Sequence, residues 1–193
     1  NLFHFEVPRL SVDIDLNYVG LADREAMLAE RPKVEQAVQA VCSREGIAIK
    51  RMPSDHAGGK WRLTYVASKS ASGNLELDVN FMLRTPLWPC LLSECHPVGS
   101  FRAAPVRILD LHELAAGKAA ALLARSAPRD IFDSRALLAT PGLDPAKLRL
   151  GFVIYGGINR KDWRTVSSTD VRVDANEVQT ELVPVLRSDL APA

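Results

Sequence analysis

The sequence contains no apolar run long enough to span a bilayer, and it shows no recognisable signal peptide. Cysteine is scarce, and the odd number of three (Cys42, Cys90 and Cys95) argues against a disulfide framework. The spacing of Cys90, Cys95 and His96 differs from that of the usual zinc sites. We therefore predict three ordinary thiols in a reducing cytoplasm.

The sequence also lacks a large excess of charge of either sign, since its formal net charge is +1. This balance indicates neither a protein that coats nucleic acid nor a strongly acidic protein. Internal repeats and low-complexity linkers are absent from the sequence as well. Its 193 residues, 47% of them hydrophobic, suffice for one large domain or for a domain with a small appendage.

The most informative stretch, Arg9 to Leu16, alternates polar and apolar residues. On a β-strand, Asp13 and Asp15 point to one face, in line with Ser11 and Arg9. The other face carries an apolar row that we expect to pack on a core, namely Leu10, Val12, Ile14 and Leu16. Carboxylates about 7 Å apart repel each other, and Mg²⁺ prefers such hard oxygen ligands. The stretch predicts either a metal-binding strand or a strand with a solvated acidic face.

A second strand with the same pattern is predicted after a hairpin turn that contains Gly73. In residues 75–81 every odd-numbered residue is apolar, whereas Glu76, Asp78 and Asn80 share the opposite face. The sequence therefore predicts two strands that each carry carboxylates on one face and an apolar row on the other.

A helix is predicted to begin at Asp110, with Glu113 in the position that completes a capping box. Lys118 lies in the apolar stripe of this helix. A lysine in such a stripe either extends its amine to the rim or contacts an anion.

Another helix is predicted to begin at Pro128. Its first turn contains Asp130 and Asp133, where the helix dipole favours negative charge. Further along, residues 143–155 predict one more helix, and Gly156-Gly157 predicts a turn.

These stretches together resemble the AbiEii nucleotidyltransferase toxin family, within the DNA polymerase β-like superfamily. The resemblance covers roughly residues 1–140. It depends on Arg-x-Ser-x-Asp-x-Asp-Leu from Arg9, and on Lys-x-x-Ala at Lys118 followed by Arg-Asp-x-x-Asp from Arg129. It implies an α+β fold, with a mixed sheet flanked by helices in a catalytic core (residues 1–109) and a mainly helical region (residues 110–193).

The resemblance also implies a two-metal nucleotidyl transfer that uses Mg²⁺ or Mn²⁺. Asp13 and Asp15 would hold the metals that bridge the triphosphate. Asp78 would complete the second metal site and help to deprotonate the attacking hydroxyl group.

Further roles implied by the resemblance concern the phosphates of a nucleoside triphosphate. Lys118 would contact the phosphates or the leaving pyrophosphate, and Asp130 would orient Lys118 or the nucleotide. Arg9 and Ser11 would support the metal strand or contact phosphate, and Arg129 would bind phosphate. The acceptor would be an RNA such as tRNA, or a protein, and a cognate antitoxin would be a further partner.

One feature of the superfamily is missing, because residues 1–12 contain no Gly-Gly or Gly-Ser turn to cradle the triphosphate. We expect this turn upstream of Asn1. The alternative is a catalytically degenerate relative that binds nucleotide or RNA. A metal-dependent phosphodiesterase that uses the same aspartates is a third interpretation.

Overall fold

The computed structural model describes residues 3, 8–11, 13–52, 58–67, 71–159 and 161–190. The chain divides into two compact units, Ser11–Pro86 and Asn1–Leu10 with Leu87–Ala193. Helices accompany a four-stranded mixed sheet and a two-stranded sheet, which confirms the predicted α+β class. No helix in the described ranges is both long and apolar enough to cross a membrane.

The unit Ser11–Pro86 consists of a four-stranded sheet and one long helix. Its elements are β1 (Asp13–Asn17), α1 (Arg24–Arg44), β2 (Ala48–Arg51), β3 (Gly58–Val66) and β4 (Ser72–Asn80). The strand order is β1-β4-β3-β2, with β1 parallel to β4 and the other pairs antiparallel. Asp23 caps α1 by accepting a hydrogen bond from the Ala26 N–H at 2.8 Å.

The core of this unit lies between α1 and one face of the sheet. Its buried members are Met27, Cys42, Trp61, Leu63, Leu77, Val79 and Phe81. Along β4, buried Leu77 and Val79 alternate with Glu76 and Asp78, which are only half-buried. The alternation therefore places the carboxylates of β4 on the face opposite the core.

The apolar row of β1 is more exposed than the sequence predicted. Ile14 is 42% exposed and Leu16 is 47% exposed, so the expectation of a buried row was wrong for these residues. Leu10, in the other unit, is 52% exposed, and Val12 lies outside the described residues. The physical reason is the position of β1 at the edge of the sheet, where its only neighbour in the described sheet is β4.

The second unit contains a short two-stranded sheet and three consecutive longer helices. Its elements are β5 (Leu91–Ser93), β6 (Val106–Ile108), α2 (Leu111–Arg125), α3 (Pro128–Leu138), α4 (Pro145–Ile158) and a final turn α5 (Ala175–Glu177). Short 3₁₀ and π turns (Trp163–Thr165, Ser168–Asp170, Val178–Leu182 and Val183–Val185) occur in the rest of the C-terminal part. The domain boundary expected at residues 109/110 lies between β6 and α2 and stays a prediction.

The start of α2 differs from the predicted capping box. Asp110 caps the helix through the His112 N–H at 2.8 Å, but the Glu113 side chain is buried. Its carboxylate accepts hydrogen bonds from the Tyr155 hydroxyl at 3.0 Å and from the Trp88 N–H at 3.3 Å. Glu113 therefore joins α2 to α4 instead of capping its own helix.

The turn predicted at Gly156-Gly157 is also wrong, because both glycines lie in α4. A Cβ at Gly156 would lie 3.2 Å from Cε2 of Trp163. The Trp163 Nε1–H donates to the Gly156 carbonyl at 2.6 Å. Because glycine has no side chain, the Trp163 indole can pack directly on the helix. This glycine is therefore explained by tertiary packing, which local sequence patterns do not reveal.

Candidate functional site

The carboxylates predicted to bind metal lie on the face of the sheet opposite the core. β1 and β4 pair in a register that puts Asp15 opposite Asp78 and Asp13 opposite Glu76. Paired residues of neighbouring strands point to the same face, and the strands lie about 4.8 Å apart. Asp15 and Asp78 therefore extend side by side.

Glu76 differs from Asp78 because β3 supplies it with two cations. The Lys60 Nζ lies 3.3 Å and the Arg62 Nη2 lies 3.5 Å from the Glu76 carboxylate. The hydrogen bond from Lys60, with a smaller contribution from Arg62, holds the pKa of Glu76 below its ordinary value. Glu76 is thus neutralised within the sheet, which makes it a weaker candidate ligand than Asp78.

The donor chemistry of this face fits a hard divalent cation. Carboxylate oxygens are the ligands that Mg²⁺ prefers, and usually one or two of them bind the ion directly. Within the described ranges, no three acidic, histidine or cysteine side chains already converge as a metal-binding group. The metal-binding roles of Asp13, Asp15 and Asp78 therefore stay predictions. Ser11 supports the start of β1, since its hydroxyl donates to the Asp13 carbonyl at 3.2 Å.

Arg9, Lys118 and Asp130, which the sequence also singled out, meet in a partly buried ion network in the other unit. Arg9 donates from Nε and Nη2 to the two oxygens of Asp133, at 2.8 and 2.6 Å. The side chains of Arg9 and Asp133 are only 8% and 3% exposed. This two-bond geometry is the strongest form of a guanidinium–carboxylate pair.

Lys118 extends the network from α2 to α3. Its Nζ lies 3.3 Å from Asp130 Oδ1 and 3.2 Å from Asp133 Oδ2. Arg125 completes the network with a bond of 2.6 Å from Nε to Asp130 Oδ2. Lys118 therefore contacts anions of its own chain, one of the two roles predicted for a lysine in an apolar stripe.

The electrostatics of the network favour ionised carboxylates. Burial of the Asp130 carboxyl opposes ionisation, but the hydrogen bond from Arg125 and the charge of Lys118 outweigh it and hold the pKa of Asp130 below its ordinary value. Three cations (Arg9, Lys118 and Arg125) share the two carboxylates of Asp130 and Asp133. The most exposed cation is Arg125, whose side chain is 65% exposed.

Two members of the network were not predicted as site residues. Asp133, the last residue of the Arg-Asp-x-x-Asp motif, was given no role at the site, although its spacing of three residues from Asp130 puts both carboxylates on one face of α3. Arg125 was not among the residues that the sequence singled out. Arg129 lies in the first turn of α3, and its phosphate-binding role stays a prediction.

A family model described as nucleotidyl transferase AbiEii toxin, type IV TA system, matches residues 1–181. No curated protein matches the sequence. A crystal structure of JHP933 from Helicobacter pylori aligns with a TM-score of 0.45 and 15% identity, over 80% of this chain and 67% of that chain. The matched range contains the residues of the paired carboxylates and of the ion network. The chain belongs to the AbiEii family of nucleotidyltransferase toxins of type IV toxin–antitoxin systems.

Proposed function

We propose that this chain transfers a nucleoside monophosphate from a nucleoside triphosphate to a hydroxyl group of an RNA, such as tRNA, or of a protein, and releases pyrophosphate. Family membership supports the general reaction, nucleotidyl transfer. The observation that carries the finer proposal is the register that sets Asp15 beside Asp78 on the face opposite the core. Two carboxylates on neighbouring strands suit a reaction in which the protein mainly positions groups and neutralises charge.

In this proposal Asp13, Asp15 and Asp78 would hold Mg²⁺ or Mn²⁺. The bound metal would neutralise phosphate charge and favour loss of the proton from the attacking hydroxyl group. A carboxylate oxygen of Asp78 would accept that proton. Ser11 would keep the start of β1 in place through its bond to the Asp13 carbonyl.

Lys118 is proposed to contact phosphate oxygens through its amine. The 31% exposure of the Lys118 side chain supports this role, because its amine stays accessible to a phosphate while Asp130 and Asp133 hold it in place. Asp130 and Asp133 would position the amine, and Arg9 would act indirectly by fixing Asp133. Arg129 is proposed as a further phosphate contact.

The test is a transfer assay with each radiolabelled nucleoside triphosphate in turn, using total RNA and total protein as acceptors. We expect Asp15→Asn and Asp78→Asn to lower transfer by about 100-fold or more. Glu76→Gln is the matched control, since Glu76 shares the face and strand of Asp78 but is neutralised by Lys60 and Arg62. It should retain most of the activity.

Equal transfer by Asp78→Asn and Glu76→Gln would contradict the proposed metal site. Nucleotide binding without transfer to any acceptor would favour a degenerate binding module instead. Release of free nucleotide from nucleic acid without any transfer would favour a phosphodiesterase.

The role as a toxin has a separate test in growing bacteria. Induced expression of the chain should arrest growth, and Asp15→Asn at the same protein level should relieve the arrest. We also propose a cognate antitoxin as a partner, which should restore growth when it is co-expressed. Arrest by Asp15→Asn that equals the wild-type arrest would separate toxicity from nucleotidyl transfer.

A further inference from the structure

Two asparagines follow the paired aspartates Asp15 and Asp78 on the same two strands. Asn17 is the register partner of Asn80, two residues beyond the aspartates on β1 and on β4. Because side chains alternate along a strand, both carboxamides lie on the carboxylate face of the sheet. We propose that Asn17 and Asn80 bind the ribose hydroxyl groups of the nucleotide and so select ribonucleotides over deoxyribonucleotides. The inference rests on the proposed function, since it assigns a specificity to that same site.

The row of residues that contains the two asparagines carries no charge. Gly58 of β3 is the register partner of Asn80, whereas Lys60 is the register partner of Asp78. A glycine has no side chain that could compete for the surface above Asn80. The row of Gly58, Asn80 and Asn17 therefore offers two carboxamides and nothing ionic, directly beside the paired aspartates.

The row on the other side of the paired aspartates is ionic. It contains Asp13 and Glu76, which are register partners. The Glu76 carboxylate is contacted by Lys60 at 3.3 Å and by Arg62 at 3.5 Å. The carboxylate face thus changes from ionic to uncharged along the strands. A nucleoside triphosphate has the same division, because its phosphates carry the charge and its ribose is neutral, so the uncharged row suits the ribose.

A hydrogen bond orients the Asn80 carboxamide. Its Oδ1 accepts from the Met82 N–H at 2.8 Å, which turns the oxygen toward the backbone. The other end of the amide, Nδ2, carries two N–H donors and has no hydrogen-bond partner among the residues that the structure describes. A ligand that meets Asn80 therefore meets donors, which a hydroxyl oxygen can accept.

The Asn17 carboxamide makes no hydrogen bond within the described part of the chain. The next residue, Tyr18, donates its N–H to the Asn80 carbonyl at 2.9 Å, which holds the ends of the two strands together. Both asparagine side chains are half-buried, so they are accessible but not freely mobile in solvent. The turn after β4 explains the Asn80 oxygen, but it gives no reason for an amide at Asn17.

Two carboxamides on neighbouring strands match a pair of adjacent hydroxyl groups. The strands lie about 4.8 Å apart, so both amides can reach one small group. Asn80 supplies donors, and Asn17 supplies donors and an acceptor. The 2′- and 3′-hydroxyl groups of ribose each donate and accept, and they are attached to neighbouring carbons. A site built to hydrogen-bond a hydroxyl group rejects the analogue that lacks it, because its polar groups then stay without a partner.

Isothermal titration calorimetry with Mg²⁺ and without an acceptor tests the proposal, since it measures binding and does not require transfer. The ligands are the four ribonucleoside triphosphates and their 2′-deoxy and 3′-deoxy forms. We expect the ribonucleotide that binds most tightly to bind about tenfold more tightly than either of its deoxy forms.

Asn17→Ala and Asn80→Ala should each weaken the binding of the ribonucleotide about tenfold while changing the binding of one or both deoxy forms much less. Loss of a merely structural side chain would instead weaken all the ligands equally. Asn17→Ala is the decisive variant, because it breaks no hydrogen bond within the described chain, whereas Asn80→Ala also removes the acceptor of the Met82 N–H. Circular dichroism should confirm that both variants are folded.

Asn74→Ala is the matched control. Asn74 lies on the same face of β4, and its Oδ1 also accepts a hydrogen bond, from the Thr64 hydroxyl at 3.2 Å. It is separated from the paired aspartates by the ionic row of Glu76. This variant should keep both the affinity and the preference for ribonucleotides.

Three outcomes would overturn the proposal. They are no binding of any triphosphate to the wild-type chain, equal affinity for ribose and deoxyribose forms, and an unchanged preference in Asn17→Ala. The transfer assay decides the proposed function separately. A ribose preference that depends on Asn17, in a chain that transfers nothing, would support the asparagine site and contradict nucleotidyl transfer. Transfer without any ribose preference would do the reverse.

Discussion

At the scale of single residues, Asp133 is the anion that holds two cations of the ion network. It receives two hydrogen bonds from buried Arg9 and lies 3.2 Å from the Lys118 amine. A buried ion pair contributes little over an apolar pair of the same shape, but removal of one partner leaves a charge without compensation. Removal of the Asp133 carboxylate should therefore lower the free energy of unfolding more than removal of an exposed carboxylate.

We predict that Asp133→Ala lowers the free energy of unfolding by about 3 kcal/mol, because Arg9 then stays buried without a counter-ion. Asp189→Ala, which breaks an exposed pair of similar geometry, should cost about 0.5 kcal/mol or less. Urea denaturation measures both. An Arg9→Met/Asp133→Leu double variant should recover most of the loss, and equal costs for the two single variants would contradict the prediction.

The pH dependence of stability gives a second prediction at this scale. The folded-state pKa of Asp130 is depressed, since Arg125 and Lys118 outweigh the opposing effect of burial. Its contribution to stability is therefore fully present above the unfolded pKa of about 3.9, and it is lost as the pH falls through the lower folded pKa. Asp130→Asn should lose less stability than the wild type between about pH 4 and pH 2. Parallel pH profiles from urea denaturation would contradict this assignment.

At the scale of helices and strands, local patterns predicted most elements but not their neighbours. Alternation was enough to predict β4 and the face of its carboxylates, because a two-residue period leaves little choice of face. The edge position of β1, which exposes Ile14 and Leu16, depends on strand order and was missed. The inward-facing Glu113 was also missed, because its partners Tyr155 and Trp88 are remote in sequence.

The packing of α2 on α4 leads to a prediction about two glycines in one helix. A Cβ at Gly151 would lie 2.9 Å from the Ala116 Cβ, so α4 would have to move away from α2. Gly157 has open space around it in the same helix. Gly151→Ala should destabilise the chain by about 1–3 kcal/mol through overpacking. Gly157→Ala should stabilise it by up to about 1 kcal/mol through helix propensity.

Thermal or urea denaturation of the two variants separates the effect of packing on stability from the effect of helix propensity, because both variants carry the same substitution in the same helix. Far-ultraviolet circular dichroism should show that both variants keep their helix content. Stabilisation by Gly151→Ala would mean that the contact between α2 and α4 is looser than the structure indicates.

At the scale of the whole molecule, one compact unit is built from two separated parts of the chain, Asn1–Leu10 and Leu87–Ala193. The residues of the other unit, Ser11–Pro86, come between these two parts in the sequence. Arg9 precedes Ser11–Pro86 in the sequence, yet its partner Asp133 lies 124 residues later. Each half of this pair was visible in the sequence, as part of a separate motif. The pairing itself was not predictable, because no local period relates residues so far apart.

The last prediction concerns the response of the molecule to metal and nucleotide together. A ligand that binds only the folded state raises Tm, by an amount that depends on its concentration relative to Kd. If Asp13, Asp15 and Asp78 hold Mg²⁺, then Mg²⁺ with a nucleoside triphosphate should raise the Tm of the wild-type chain by a few degrees or more.

Asp15→Asn should abolish this rise, because it removes one carboxylate of the proposed metal-binding pair. Glu76→Gln should keep the rise. Differential scanning fluorimetry with each of the four triphosphates, with and without Mg²⁺, makes the measurement. A wild-type Tm that responds to none of the four combinations with Mg²⁺ would contradict metal-dependent nucleotide binding. A rise that persists in Asp15→Asn would place the binding of metal and nucleotide away from the paired strands β1 and β4.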